Sequence, residues 1–496
     1  MQSLSRRTLL KGVVGSTVAL GAMGTASAED GRNQYIVTAS GKGVRKRLER
    51  EGFEVVTSIA DDSVHLVIGG SKSAIQRVSG VKSADSNEVY RLLGPAKQAT
   101  SSERSRDDEY AETQWDKHDD TTGAFQAHDT ATGSGRRVAI IDTGIETDHP
   151  DLTTATADGK LFRADGLSSP TGTPTVAGDT TIQARLPPES EEIESYTYLG
   201  APKLRTQAAA DDVDSHGTHC AGISTGNNAG TTGIAGMAPD AEAVPLRVFY
   251  WKKVENFPWD KDGDGEAEEH VTVTTLATTD FDILSAIEYA PETNADAANM
   301  SLGGGVIKGS KHKSGEHVAY QTVIQNAVKR GTVVTASAGN ASSNLQQGGY
   351  YTLPNSVPGA MSITATGPGN ERAFYSNYGT SDVDVGAPGG GYETVEKTLA
   401  SDTEWPYPLN LVYSSVPADL NDGSQYAWYA GTSMAAPQVA GLVALVREVA
   451  PDLTAKQVQN VIERTARFSK GNSSPDIGAG VVYAPDAVAE ADRFSK

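Results

Sequence analysis

Gly431-Thr432-Ser433-Met434-Ala435-Ala436-Pro437 joins a turn-prone Gly-Thr pair to an apolar run, Met434 to Val449, rich in Ala, Val and Leu. The run predicts a buried helix, which puts Ser433 at its N-terminus. Backbone N–H groups there lack intrahelical partners, and the helix dipole favours negative charge. A hydroxyl in that position can attack a carbonyl while a neighbouring N–H stabilises the oxyanion that forms. A serine before a helix is more often only an N-cap, so the assignment depends on what else the chain carries.

Two upstream motifs supply it. Val138-Ala139-Ile140-Ile141-Asp142-Thr143-Gly144 reads as a buried parallel strand with an aspartate at its C-terminal end, where catalytic groups gather in α/β sheets. Asp214-Ser215-His216-Gly217-Thr218-His219-Cys220-Ala221-Gly222 places His216 at the start of a small-residue helix. Alone, the first is a strand-end cap and the second a loop histidine. Together with Ser433 they give an aspartate, a histidine and a serine in that chain order.

With these three motifs the chain resembles the subtilisin-like serine proteases (subtilases), whose triad runs in the same order. The resemblance extends from about Trp115 to about Ala489. It implies that Asp142 orients His216, that His216 acts as general base and then acid, and that Ser433 is the nucleophile. Val333-Val334-Thr335-Ala336-Ser337-Ala338-Gly339-Asn340 matches the family's oxyanion segment and makes Asn340 the donor. Asn299-Met300-Ser301-Leu302-Gly303-Gly304 matches the strand that pairs with substrate, so Ser301, Leu302 and Gly303 are expected to bind it. Glycines let a second backbone approach closely, and an extended peptide can add to a strand edge.

Charge is unevenly spread. The first 114 residues carry 16 Lys+Arg against 14 Asp+Glu, and the remainder 26 against 49, so the net charge of −21 belongs to the catalytic part. That balance excludes nucleic acid as a partner. It keeps a protein soluble where salt screens repulsion. The pattern resembles halolysin-like secreted proteases of halophilic archaea. Cys220 is the only cysteine, so no intrachain disulfide can form.

Residues 1–28 read as a signal peptide. Arg6-Arg7 with Ser5, Leu10 and Lys11 resembles the twin-arginine type, and the Gly12–Gly24 stretch and Ala26-Ser27-Ala28 follow. No other stretch is apolar and long enough to span a membrane, so a secreted protein without stable membrane association is expected. Residues 34–92 read as a small α+β unit of order βαββαβ. It resembles the inhibitor propeptide that precedes many subtilases, with a permanently retained accessory domain as the alternative. Residues 93–114 read as a processing linker.

From residue 115 to 496 short apolar strands alternate with helices. Strands are expected at Val138–Ile141, Ala243–Val248, Ala297–Leu302, Val333–Ser337 and Ser362–Thr366. Helices are expected at Asp282–Tyr289, Val318–Arg330, Ser433–Val449 and Ala455–Arg467. The fold class is α/β, a doubly wound and mostly parallel sheet with helices on both faces. Leu161–Asp211 and Trp251–Thr278 read as inserted surface loops near the cleft.

The second insertion holds Asp260-Lys261-Asp262-Gly263-Asp264-Gly265-Glu266. Carboxylates of Asp260, Asp262 and Asp264 at alternate positions match the first half of a calcium loop. The twelfth loop position is Val271 rather than Glu, so this is not an EF-hand. Asp151 matches a position where subtilases bind structural calcium. A solvated acidic loop at the first site and a turn residue at the second are the alternatives.

The reading is a secreted, monomeric serine endopeptidase that acts on protein or peptide substrates, with its own propeptide as inhibitor and folding aid. The competing reading is a non-catalytic peptide-binding protein on a subtilase scaffold.

Overall fold

The computed structural model describes residues 20–25, 32–92, 96–98, 113–163, 175–194, 196–227, 233–260, 268–303, 307–308, 315–346, 350–399, 410–468 and 473–495. Its centre is an eight-stranded sheet. In spatial order the strands are Thr175–Ala177, Lys160–Phe162, Glu242–Arg247, Arg137–Asp142, Ala297–Met300, Val333–Ser337, Ala360–Thr366 and Val385–Pro388. All neighbours run parallel except the first pair. The expected mostly parallel sheet is therefore present. Its strands are buried on both faces, which is why they read as continuous apolar runs rather than alternating ones.

The helix Thr432–Val449 lies against this sheet, and every residue from Thr432 to Arg447 is buried. A helix apolar all round has to sit in a core. Its Ala and Gly positions allow the helix His216–Thr225, itself buried throughout, to pack beside it. The two helices that begin with His216 and just before Ser433 are thus brought together by packing. Gln438, one residue past Pro437, accepts from the buried Lys117 ammonium at 2.7 Å. Lys117 also pairs with Asp116 at 2.5 Å, so the first segment of the catalytic body is tied to the serine helix. Gln114 already belongs to that body: its side chain donates to Ala235 O and accepts from Ala235 N.

Residues 34–92 depart from the expected pattern at the end. The four-stranded sheet has the order Glu54–Ile59, Val64–Ile68, Gln34–Ala39, Val81–Ser86, with helices at Val44–Arg50 and Lys72–Gln76. The strand Val81–Ser86 was not expected, because Ala84 is its only fully buried apolar residue and the pattern is too weak to read. The strand Glu88–Leu92 leaves this sheet. It pairs antiparallel with Leu20–Thr25 on one side and with the end of Glu269–Thr279 on the other.

The inserted segments are corrected as well. Tyr250–Trp259 and Glu269–Thr279 form a long antiparallel hairpin, and Thr181–Leu186 pairs with Lys203–Ala208. Thr and Val at alternating positions of 269–279 suit a pleated surface. Their polar content disguised them as loop. Of the signal-peptide stretch only 20–25, and of the linker only 96–98, 113 and 114, lie within the described residues. Ala96–Gln98 runs antiparallel to Tyr426–Ala430, the strand that leads into Ser433.

Candidate active site

Asp142 ends the strand Arg137–Asp142 and is buried. Its Oδ1 accepts from His216 Nδ1 at 2.8 Å and from Thr143 N at 2.8 Å. His216 is equally buried. Burial opposes charge on its imidazole, but the Asp142 carboxylate outweighs that and holds the pKa well above its ordinary value. Among the described residues His216 Nε2 has no hydrogen-bond partner, so the ring's second nitrogen remains available for a proton. Because Asp142 fixes Nδ1 as the protonated nitrogen, Nε2 is the basic one in the neutral ring.

Ser433 is the second residue of its helix and fully buried. Its Oγ donates to Ser301 O at 3.1 Å, so the hydroxyl is turned to the segment that follows the strand Ala297–Met300. Loose nucleophile–base geometry is usual before substrate arrives. Asn340 follows Gly339, whose φ of +96° makes the turn that a side chain would strain. Asn340 Oδ1 accepts from Thr432 N at 2.9 Å and Thr432 Oγ1 at 2.7 Å. That consumes the acceptor end and leaves the donor Nδ2 buried without a partner among the described residues. A buried amide donor left unpaired costs about 1–3 kcal/mol. A Cβ placed on Gly431 would come within 3.3 Å of that Nδ2.

Ser301, Leu302 and Gly303 continue past the strand Ala297–Met300 and are buried, beside Ser433. Ser433, His216, Asp142, Asn340 and Ser301 are therefore connected in one place. Cys220 sits one helical turn from His216, with Sγ 4.0 Å from Nδ1. Burial pushes its thiol pKa up, so it stays protonated beside the site.

Several supporting residues escaped the sequence reading. Asp212 accepts five hydrogen bonds: from Thr143 Oγ1, Asp214 N and Ser215 N on one oxygen, and from Thr218 N and Oγ1 on the other. This holds Ser215 at φ +117°, a strained value for a serine, and sets where the histidine helix starts. His219 stacks on Tyr429 with ring centroids 4.2 Å apart, and burial drives its pKa down to about 3, so it stays neutral. The Tyr429 hydroxyl shares a 2.8 Å hydrogen bond with Ser215 Oγ. Asp212 lies just before a visible motif and was the readable one. Tyr429 is brought in from 214 residues away.

The calcium positions divide. Asp151 Oδ2 accepts from Ile234 N at 2.9 Å and from Tyr426 OH at 2.7 Å. That oxygen is engaged by protein donors, which leaves only Oδ1 to offer an ion that takes six to eight oxygens. The described ligands at Asp151 do not by themselves fit calcium. Asp260 is within the described residues, whereas Asp262 and Asp264 lie outside them. Among the described residues only Asp142, His216 and Cys220 cluster closely enough to suggest metal ligation, and there His216 Nδ1 is already bonded to Asp142.

Residues 133–480 match the profile of the Subtilase family, and the chain belongs to that family of subtilisin-type serine endopeptidases. It is 34% identical over 366 residues to an extracellular protease of Xanthomonas campestris pv. campestris, which covers 74% of this chain and 53% of that one. It thus spans about half the length of that relative. It is 30% identical over 351 residues to thermitase of Thermoactinomyces vulgaris, covering 71% of this chain and 88% of the other. A solved protease of Pseudoalteromonas arctica superposes with a TM-score of 0.52 at 27% identity, covering 78% of this chain and 99% of that one.

Proposed function

We propose that this chain is a secreted, salt-adapted serine endopeptidase that hydrolyses peptide bonds through an acyl-enzyme and carries its own inhibitor domain. One arrangement supports this most strongly. The buried Asp142–His216 pair stands at 2.8 Å, with Ser433 at a helix N-terminus and the unpaired Asn340 Nδ2 beside it. A scaffold that only bound peptides would not need a buried charged pair or an orphaned amide.

Ser433 Oγ attacks the scissile carbonyl carbon as its proton passes to His216 Nε2. Asp142 stabilises the imidazolium that results. Asn340 Nδ2 and the Ser433 N–H donate to the oxyanion. His216 then gives the proton to the leaving amine. Water, deprotonated by His216, releases the acid and restores Ser433. The 301–303 segment offers backbone to an extended substrate, which favours broad cleavage.

The inhibitor reading rests on how residues 34–92 meet the catalytic body. Asn87 Oδ1 accepts from Phe281 N at 3.0 Å, in the first turn of the helix Asp280–Tyr289. Asp85 lies at the start of the helix Gly315–Lys329, so close that a Cβ on Gly315 would fall 1.9 Å from its Oδ2. Both contacts place a polar oxygen at a helix N-terminus. Val89–Arg91 adds as a strand to Ala277–Thr279, the backbone mode in which a peptide would bind.

Salt adaptation is inferred from the −21 charge. Secretion is inferred from the twin-arginine-like N-terminus and from the extracellular relative. Among the described residues no helix is long and apolar enough to cross a membrane. Structural calcium is proposed at the 260–266 stretch, whose carboxylates at alternate sequence positions suit a cation that takes oxygen ligands. Chelator-insensitive melting and activity at modest salt would remove it.

The test is casein hydrolysis by wild type beside Ser433→Ala, in low and multimolar salt. Activity lost only in the variant and rising with salt supports the proposal. No activity from a folded, processed wild type overturns it.

A further inference from the structure

The serine helix contains Pro437, and its position has a consequence for the nucleophile. In an unbroken helix the carbonyl of residue i accepts the N–H of residue i+4. For Ser433 that residue is Pro437, which has no N–H. The Ser433 carbonyl is therefore left without its intrahelical donor in a fully buried place, where an unsatisfied acceptor is costly.

Side chains from outside the helix take over. Ser301 Oγ donates to Ser433 O at 2.6 Å, and Cys220 Sγ donates to it at 3.4 Å. The sulfur bond is weak, so the serine carries most of the compensation. The Ser301 hydroxyl has one proton to give. Its aim is set by Asn299 Nδ2, which donates to Ser301 Oγ at 2.9 Å. Asn299 Oδ1 in turn accepts from Thr335 Oγ1 at 3.4 Å, across two adjacent sheet strands. Ser301, Asn299, Thr335 and Ser433 are all completely buried. The link is also reciprocal, since Ser433 Oγ donates to Ser301 O at 3.1 Å.

We propose that Ser301 is a positioning residue for the nucleophile: its side chain, aimed by Asn299, holds the Ser433 backbone through the carbonyl that Pro437 leaves unpaired. This goes beyond substrate binding by the same segment, and it rests on the endopeptidase reading. The rigid central sheet then sets the place of Ser433 directly, rather than only through the first turn of its own helix. Pro437 is what makes the carbonyl available for that purpose.

The test is a double-mutant cycle on Ser301→Ala and Pro437→Ala, with Ser301→Thr as the conservative control. Each is assayed for kcat and KM on a small peptide ester. Ser301→Ala is expected to lower kcat about tenfold with KM changed less than twofold, and Ser301→Thr to keep most of the rate. Pro437→Ala supplies the missing N–H, so the double variant is expected to recover several-fold over Ser301→Ala alone. Wild-type kcat in Ser301→Ala, or strictly additive losses in the double variant, would overturn the proposal. A readout independent of turnover separates it from the wider functional reading. The ¹³C shift of the Ser433 carbonyl should move in Ser301→Ala and return toward wild type in the double variant, whether or not peptides are cleaved. An unmoved shift would likewise sink it.

Discussion

At the candidate catalytic centre, the buried Asp142 and Asp212 carboxylates meet donors, while His216 Nε2 and Asn340 Nδ2 have no partner among the described residues. At the seam between residues 34–92 and the catalytic body, the buried Asp280 meets the half-buried Glu316 and Glu88. His216 faces Asp142, and Asp212 is surrounded by five donors. At the seam, Asp280 is fully buried with Glu316 and Tyr320 on one side and Glu88 and Tyr90 on the other. The Tyr90 hydroxyl reaches both Asp280 and Glu316 at 3.2 Å. Desolvation, then the nearby Glu316 charge, pushes the Asp280 pKa well up, against the two tyrosine donors. Burial beside like charge thus raises the Asp280 pKa at the seam, whereas at the centre the opposite charge of Asp142 raises that of His216.

That contrast can be broken at its strongest point first. Ser433→Ala should lower turnover on the order of 10⁶-fold with the fold intact, measured on casein and on a peptide ester. A near-normal rate would show that the centre is not catalytic.

Asp142→Asn should cost about 10⁴-fold and should also move the pH profile. The neutral imidazole is the base. A raised His216 pKa therefore places the acidic limb of kcat/KM above the ordinary 6.5. Without the carboxylate, burial dominates and the limb should shift to lower pH. A limb that stays in place would show that Asp142 does not set the histidine's charge.

Asn340→Ala should cost about 10²–10³-fold in kcat with little change in KM, because the amide acts only on the transition state. A loss confined to KM would make it a substrate contact instead.

The smallest effect is expected at the seam. Asp280 has a raised pKa when docked, so the docked form binds more protons and is favoured at low pH. Docking should weaken as pH rises from the undocked to the docked pKa of Asp280, and stop weakening above the docked one. The slope for one proton is at most about tenfold per pH unit. Full-length Ser433→Ala protein would report this through hydrogen exchange of the Phe281 amide that Asn87 holds. Asp280→Asn should flatten the dependence. An unchanged slope would show that the seam does not titrate.

The same contrast governs how much was legible beforehand. The candidate centre was legible because each of its residues sits inside a contiguous motif whose neighbours form its own strand or helix. Asp142 ends an apolar run, and Ser433 begins one. The residues that support them were not all readable. Tyr429 reaches Ser215 from a separate strand, and Tyr90 reaches Asp280 across 190 residues. The strand Val81–Ser86 was missed because pairing with Gln34–Ala39, rather than its own apolar pattern, gives it a place. The long hairpin at 250–279 was read as loop because its threonines resemble a polar linker until a partner strand pairs with them.

By itself, then, the order of residues determined the mostly parallel sheet class, the family motifs and the charge asymmetry, since these follow from local periodicity, motif and composition. Only the tertiary structure decided which oxygen of Asp151 is already bonded, which way Asn340 points its amide and what satisfies the Ser433 carbonyl. Hydrogen-bond direction and desolvation depend on groups that meet only when the chain is packed.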